Sequence, residues 1–265
     1  MLQVRVSGLS IAYDQRGDDP PLVLLHGFSH DSRVWKPQME GLDHRFSIIA
    51  CDAPGAGQSA HPPDTFGIGD WTNCINEFLD AIGVQKAHIL GLSWGGLLAQ
   101  EFYRHHAERV HSLILADTYA GWKGSLPEPI PQQRLEACLR DALLPPSEFV
   151  AQYLPDMFGK SPKPEVSSYL GTIMSDFHPR GFQLMAEALA IADTRDLLPN
   201  IHVPTLLIWG DADVRSPVEI AHQLHDNIPG AKLAVISGVG HMSNLEAPEQ
   251  FNSEVLNFCR LITDP

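Results

Sequence analysis

The fold of this chain is constrained most by one stretch, Ile89-Leu90-Gly91-Leu92-Ser93-Trp94-Gly95-Gly96-Leu97. The stretch begins as an apolar strand, turns around one serine and continues as an apolar helix. A turn this sharp drives Ser93 toward positive φ, which costs a non-glycine residue free energy. Side chains at Gly91 and Gly95 would collide across the turn. The pattern predicts a hydroxyl at a helix N-terminus, where oriented N–H groups favour developing negative charge.

The composition favours a single globular unit. Of 265 residues, 44% are hydrophobic, which is enough for one large core. No apolar run approaches the ~18 residues that a membrane helix needs, so no membrane partner is expected. Residues 1–8 lack the basic flank, the apolar block and the cleavage site of a signal peptide. We therefore expect a cytoplasmic protein, and the sequence leaves its oligomeric state open.

The charge balance argues against nucleic acid as a partner. The chain has 18 basic and 32 acidic residues, a net charge of −14, whereas phosphate binding needs a basic face. The four cysteines are scattered and form no C-x-x-C pair. We expect them to be buried, reduced thiols rather than disulfide partners or zinc ligands; they are Cys51, Cys74, Cys138 and Cys259.

Strand and helix patterns alternate between residues 22 and 117. Two short apolar runs near the N-terminus, at residues 4–6 and 9–13, have the pattern of an antiparallel hairpin at a sheet edge. Residues 67–82 have helical spacing. Continuous apolar runs, typical of buried parallel strands, occupy residues 22–25, 46–51, 87–92 and 110–116. The alternation predicts an α/β fold with a mostly parallel sheet flanked by helices.

The strand pattern stops at residue 121 and resumes with an apolar run at residues 203–209. The intervening segment is rich in proline and contains short amphipathic stretches at residues 134–144, 147–158, 165–174 and 182–192. We interpret residues 121–195 as a helical cap over the carboxyl edge of the sheet. It is an insertion rather than an independent domain, and residues 1–120 and 196–265 form the core.

Two patterns resemble a cofactor site or a metal site, but each lacks a feature that such a site requires. Residues 55–60 match G-x-G-x-x-A, but the following prolines disfavour the helix that a pyrophosphate site requires. Asp52, just before this segment, is better explained as a turn-former. His222 and His225 could share a metal, but no third ligand stands at a suitable spacing. We expect neither a metal nor an organic cofactor.

A serine hydroxyl is a weak nucleophile, and needs a general base that is itself held in place. In an open α/β sheet, functional groups gather beyond the carboxyl ends of the strands. Ser93 follows one strand, Asp211 and Asp213 follow a later one, and His241 follows the last. The order serine, acid, histidine is that expected with a G-x-S-x-G turn. Asp117, also at a strand end, is a further candidate acid.

The order and spacing of these residues resemble those of the α/β-hydrolase superfamily, and the resemblance extends along nearly the whole chain. Five segments carry the resemblance: His26-Gly27, residues 52–59, the Ser93 turn, residues 210–213 and Gly240-His241. The resemblance implies an eight-stranded sheet with a helical cap, Ser93 as nucleophile and His241 as general base. It favours Asp213 over Asp211, because the acid usually stands three residues after the glycine that ends its strand.

Two backbone N–H groups are expected to form the oxyanion hole. The residue after the nucleophile, Trp94, supplies one, and the resemblance implies that Phe28 supplies the other. His30 lies close to this loop, and a role in a polar pocket stays open. Side chains that could line an apolar substrate pocket are Trp35, Tyr119, Trp122, Met157, Met174 and Met242.

The expected activity is cleavage of a small, apolar ester or lactone through an acyl-enzyme. The elbow and the short cap resemble 3-oxoadipate enol-lactonase-like enzymes. A carboxylate-bearing lactone would need a cationic anchor, for which Arg134, Arg140, Arg180 and Arg195 are available. A fatty acyl-homoserine lactone would need the apolar pocket, and the sequence does not decide between them.

Two alternatives to this activity remain open. The first is hydrolysis of a carbon–carbon bond, as in meta-cleavage-product hydrolases, but those usually carry tryptophan directly after the histidine, where this chain has Met242. The second is a receptor-like protein with slow turnover. Related enzymes with an aspartate nucleophile are disfavoured by Ser93.

Overall fold

The computed structural model describes residues 1–18, 20–159 and 162–263. Eight strands form one sheet. They are β1 (Leu2–Val6), β2 (Leu9–Arg16), β3 (Pro21–Leu25), β4 (Ser47–Cys51), β5 (Ala87–Leu92), β6 (Val110–Ala116), β7 (Thr205–Gly210) and β8 (Lys232–Ile236).

The strands follow one another across the sheet in the order β1-β2-β4-β3-β5-β6-β7-β8. β1 and β2 form the predicted antiparallel hairpin at one edge. All pairings from β4 to β8 are parallel, so the carboxyl ends of these strands meet at one edge of the sheet. The predicted fold class, a mostly parallel eight-stranded sheet with flanking helices, is confirmed.

The helices are α1 (Lys36–Gly41), α2 (Ile68–Ala81), α3 (Trp94–His106), α4 (Trp122–Ser125), α5 (Ile130–Asp141), α6 (Pro146–Tyr153), α7 (Pro164–Ser175), α8 (Pro179–Ile191), α9 (Val218–Asn227), α10 (Ser243–Glu246) and α11 (Pro248–Thr263). α2 shows why they form: its apolar side chains recur every three or four residues and are buried. Asp70 accepts a hydrogen bond from the N–H of Gly67 and caps its start. No helix in the described parts of the chain is long and apolar enough to cross a bilayer.

Helices α4 to α8 occupy the predicted cap segment. α8 packs against α3, α4 and α5, and α7 contacts the short 3₁₀ helix Ser32–Trp35. Three cap helices begin at a proline, whose fixed φ suits the first helical position. The sequence does not predict α4 and α10, because one turn is too short to show a helical period. That the cap depends on the core for folding stays a prediction.

Candidate active site

Ser93 stands between β5 and α3 with φ 55° and ψ −116°, a conformation that a non-glycine residue rarely adopts. A Cβ atom on Gly91 would lie 2.2 Å from the carbonyl oxygen of Gly95. A Cβ atom on Gly95 would lie 2.1 Å from the carbonyl oxygen of Leu25. The glycines are thus required by close backbone approaches, as the sequence predicts.

Three side chains from three strand ends form one line of hydrogen bonds. Nε2 of His241 lies 2.9 Å from Oγ of Ser93, and Nδ1 of His241 lies 2.7 Å from Oδ2 of Asp213. All three residues are buried. The other oxygen of Asp213 accepts the backbone N–H groups of Arg215 (2.8 Å) and Ser216 (2.9 Å). The carboxylate is thereby fixed on one side while it orients the imidazole on the other.

Asp211 points elsewhere. Its carboxylate accepts the Ser237 hydroxyl at 2.9 Å and the N–H of Gly238 at 2.6 Å, and the side chain is exposed. Of the two candidate acids after β7, the structure therefore brings only Asp213 to the histidine.

Asp117 lies behind the site and does not contact the imidazole. Its carboxyl accepts the N–H of Gly210 at 2.9 Å and binds the hydroxyl of Ser243, which ties the ends of β6 and β7 to α10. Burial, and then the charge of Asp213, raise the pKa of Asp117 well above its ordinary value. These contacts suit a carboxyl that supports the strand ends, and the sequence alone could not separate such a residue from the acid that orients the histidine.

The loop after β3 lies against Ser93. A Cβ atom on Gly27 would lie 3.3 Å from Cβ of Ser93 and 2.8 Å from Nε2 of His30. The loop is held by His26, whose Nδ1 lies 2.6 Å from the carbonyl oxygen of Gly27 and whose Nε2 accepts the N–H of Ala53 at 3.0 Å. The sequence does not predict this positioning role of His26, because it depends on the contact with Ala53, which is distant along the chain.

The side chains of the two expected oxyanion residues point in different directions. Trp94 is fully buried, with its ring edge-on to Trp71 at 5.2 Å. Phe28 stacks on Phe182 of the cap at 4.8 Å and meets Trp122 edge-on at 6.1 Å. Their backbone N–H groups as oxyanion donors stay a prediction.

His30 is buried beside the serine, and its Nδ1 has no hydrogen-bond partner in the described residues. Burial is the main reason that the pKa of His30 is well below its ordinary value, and the nearby His26, His241 and Arg215 add to the effect. The imidazole is thus neutral at physiological pH.

A cavity of about 220 Å³ lies between the cap and the loop after β7. Of the predicted pocket residues, Trp122 lines it. Tyr119 is outside the lining, and its hydroxyl accepts a hydrogen bond from Arg134, which lines the cavity. Neither Ser93 nor His241 lines it. Because Arg134 and Arg215 are on its wall, the cavity is less apolar than expected.

The remaining predicted pocket residues lie outside this lining. Trp35 is a core residue instead: it is fully buried and packs against Phe251 of α11. Met174 is also fully buried. Met157 and Met242 join the cap to the histidine loop through a backbone hydrogen bond of 2.9 Å. Apolar side chains look alike in sequence whether they fill a core or line a pocket.

The segment that mimics a dinucleotide motif is a turn. Asp52 holds it by accepting the N–H groups of Ser32 (2.9 Å) and Gln58 (2.8 Å), in agreement with its predicted role. Within the three described ranges, no group of three or more histidine, cysteine, aspartate or glutamate residues could hold a metal ion. All four cysteines are buried free thiols.

Comparison with known proteins identifies relatives along the whole chain. Residues 20–248 match the sequence model of a family described as having the alpha/beta hydrolase fold. The pimeloyl-[acyl-carrier protein] methyl ester esterase of Vibrio vulnificus is 28% identical over 93% of this chain and 96% of its own. The 3-oxoadipate enol-lactonase 1 of Acinetobacter baylyi is 27% identical over 92% of this chain and 90% of its own. The structure of a thermophilic esterase from Thermogutta terrifontis, with malate bound, has a TM-score of 0.92 at 27% identity and covers 99% of both chains.

Proposed function

This chain belongs to the α/β-hydrolase fold family, and on that premise we propose that it is a serine hydrolase that cleaves a small carboxylic ester or lactone. One observation carries the proposal: Ser93, His241 and Asp213 form an unbroken line of hydrogen bonds of 2.9 Å and 2.7 Å. A hydroxyl so placed can be deprotonated as it attacks. Esterases and a lactonase among the relatives support the same reaction class.

In the acylation step, Oγ of Ser93 attacks the substrate carbonyl and its proton passes to Nε2 of His241. Asp213 holds the Nδ1–H tautomer and stabilises the imidazolium that forms. The backbone N–H groups of Trp94 and Phe28 bind the oxyanion, each contributing ~2.7–4 kcal/mol to the transition state. The tetrahedral adduct collapses, and the imidazolium gives its proton to the departing alkoxide.

In the deacylation step, His241 removes a proton from water, and the hydroxide attacks the acyl-serine carbonyl. The second tetrahedral adduct releases the carboxylic acid, and the proton on His241 returns to Oγ of Ser93. The N-terminus of α3, directly after Ser93, favours the negative charge in both steps.

The test is turnover of p-nitrophenyl acetate and butyrate, combined with mass spectrometry of the protein after exposure to a fluorophosphonate. We expect multiple turnovers and a covalent adduct on Ser93, both abolished in Ser93→Ala with an unchanged circular dichroism spectrum. Ser237→Ala, an exposed serine at the end of β8, is the matched control and keeps full activity. Hydrolysis by Ser93→Ala would rule out this nucleophile, and a single turnover by the native protein would indicate the receptor-like alternative.

A further inference from the structure

Two arginines on the wall of the 220 Å³ cavity, Arg134 of α5 and Arg215 after β7, stand out among the cations of this region. Within the described residues neither guanidinium has a carboxylate partner. Other arginines in and beside the cap do, with the pairs Arg140–Asp141, Arg180–Asp64 and Arg195–Asp193. A half-buried guanidinium has lost part of its hydration and favours an anion as partner.

Aromatic rings hold both guanidinium groups without neutralising them. Cζ of Arg134 lies 5.8 Å from the ring centroids of Tyr119 and Trp122. Cζ of Arg215 lies 5.7 Å from the centroid of Phe28 and 5.4 Å from that of Tyr153. Stacking on ring faces fixes the plane of a guanidinium and leaves N–H groups at its edge for a ligand.

Arg134 and Arg215 are also linked to each other through the backbone of Arg215. Nη1 of Arg134 donates to the hydroxyl of Tyr119 at 2.9 Å and to the carbonyl oxygen of Arg215 at 3.1 Å. The backbone N–H of Arg215 in turn donates to Asp213. The two cations are therefore built into the same framework that orients the imidazole.

A chain of contacts leads from Arg215 to the serine turn. The Phe28 ring lies beneath Arg215, and the preceding residue, Gly27, faces Ser93. The charge of Arg215 also reaches His30 beside the serine, where it helps to lower the pKa of that imidazole. A substrate that is bound at Ser93 and extends past Phe28 would bring its far end toward the cavity that Arg134 and Arg215 line.

The cavity wall also indicates which anion fits. Asp141 and Asp156 line it as well. The carboxylate of Asp141 is engaged by Arg140, Gln152 and Tyr153, whereas Asp156 is exposed. These negative charges oppose a dianion such as phosphate more strongly than a monoanion.

We infer that the cavity binds a carboxylate at the far end of the substrate, an inference that rests on the proposed ester hydrolysis. The substrates are then half-esters of dicarboxylic acids, or lactones that carry a carboxylate. Arg134 and Arg215 determine this specificity by charge-assisted hydrogen bonds to the carboxylate.

The test compares monomethyl adipate with methyl 6-oxoheptanoate, in which an acetyl group replaces the carboxylate at nearly the same size. We expect kcat/KM to favour the carboxylated ester at least about tenfold, the value of one hydrogen bond to a charged group. Arg134→Gln and Arg215→Gln should each lower this ratio by about tenfold, mainly through KM. Arg195→Gln removes an arginine that is paired with Asp193, and should retain the native ratio.

A ratio near one with both esters turned over overturns the carboxylate site and leaves the proposed function intact. If neither ester is turned over, calorimetry of adipate with Ser93→Ala decides the site, and turnover of p-nitrophenyl butyrate decides the proposed function separately. Adipate binding that Arg134→Gln weakens supports the site, and no binding overturns it. Stronger competitive inhibition by inorganic phosphate than by acetate also overturns the assignment to a carboxylate.

Discussion

Nδ1 of His241 lies 2.7 Å from Oδ2 of Asp213, and both side chains are buried. An ionised carboxylate can accept a hydrogen bond but cannot donate one. This bond therefore places the imidazole proton on Nδ1 and leaves the lone pair of Nε2 facing Ser93. An amide at position 213 can donate instead, and would favour the opposite tautomer.

We therefore expect Asp213→Asn to lower kcat on the order of 10⁴-fold, as the same change does in serine proteases. Asp211→Asn is the matched control, because it makes the same substitution two residues away on an exposed carboxylate bound to Ser237 and Gly238. Steady-state hydrolysis of p-nitrophenyl butyrate measures both. A larger loss in Asp211→Asn would show that the acid is misassigned.

Asp117 gives a different prediction. Burial raises its pKa well above the ordinary value, and its two oxygens meet the N–H of Gly210 and the hydroxyl of Ser243. An asparagine can accept the first and donate to the second, so Asp117→Asn should keep kcat within a few fold. Asp117→Ala leaves the N–H of Gly210 without a partner and should lower the free energy of unfolding by about 1–3 kcal/mol.

Steady-state kinetics and urea unfolding of both Asp117 variants show whether Asp117 supports the strand ends or acts on the imidazole. If Asp117→Asn lost activity to the same extent as Asp213→Asn, Asp117 would be acting on the imidazole rather than supporting the sheet ends.

The serine turn could be predicted from sequence because its causes are local: a strand, a helix and glycines where side chains cannot fit. The partners of Ser93 could be predicted because parallel strands bring their carboxyl ends together, whatever separates them along the chain. The choice between Asp211 and Asp213 could not be derived from the residues alone, since one turn directs the two side chains to different neighbours. Arg215 has no sequence signal, because its significance depends on helices from the cap.

The buried histidine of β5 predicts how stability depends on pH. His88 bonds Ser112 at 2.8 Å, and burial, with a smaller effect of His111, lowers the pKa of His88 to about 4. The unfolded chain has the ordinary pKa of ~6.5 and binds a proton first as the pH falls. The stabilising contribution is thus present above pH ~6.5 and is lost as the pH falls toward 4.

For this one group, lowering the pH from 7.5 to 5 should reduce the free energy of unfolding by about 2 kcal/mol. His88→Gln should lack this contribution. The free energy of unfolding of the variant should therefore change less between pH 7.5 and pH 5, by the same ~2 kcal/mol. Urea unfolding at both pH values measures it. An unchanged difference in the variant would show that His88 does not contribute.

The closest backbone contact at the serine turn predicts a large effect from one methyl group. In Gly95→Ala the new Cβ atom would lie 2.1 Å from the carbonyl oxygen of Leu25. Leu25 is in β3, which pairs with β5, the strand that leads into Ser93. We expect a loss of about 3 kcal/mol in the free energy of unfolding and loss of ester hydrolysis. Gly69→Ala is the matched control, since nothing lies within 4 Å of its Cβ position in α2. It should stabilise the fold by up to ~1 kcal/mol with activity intact, and equal effects in thermal unfolding of the two variants would contradict the steric explanation.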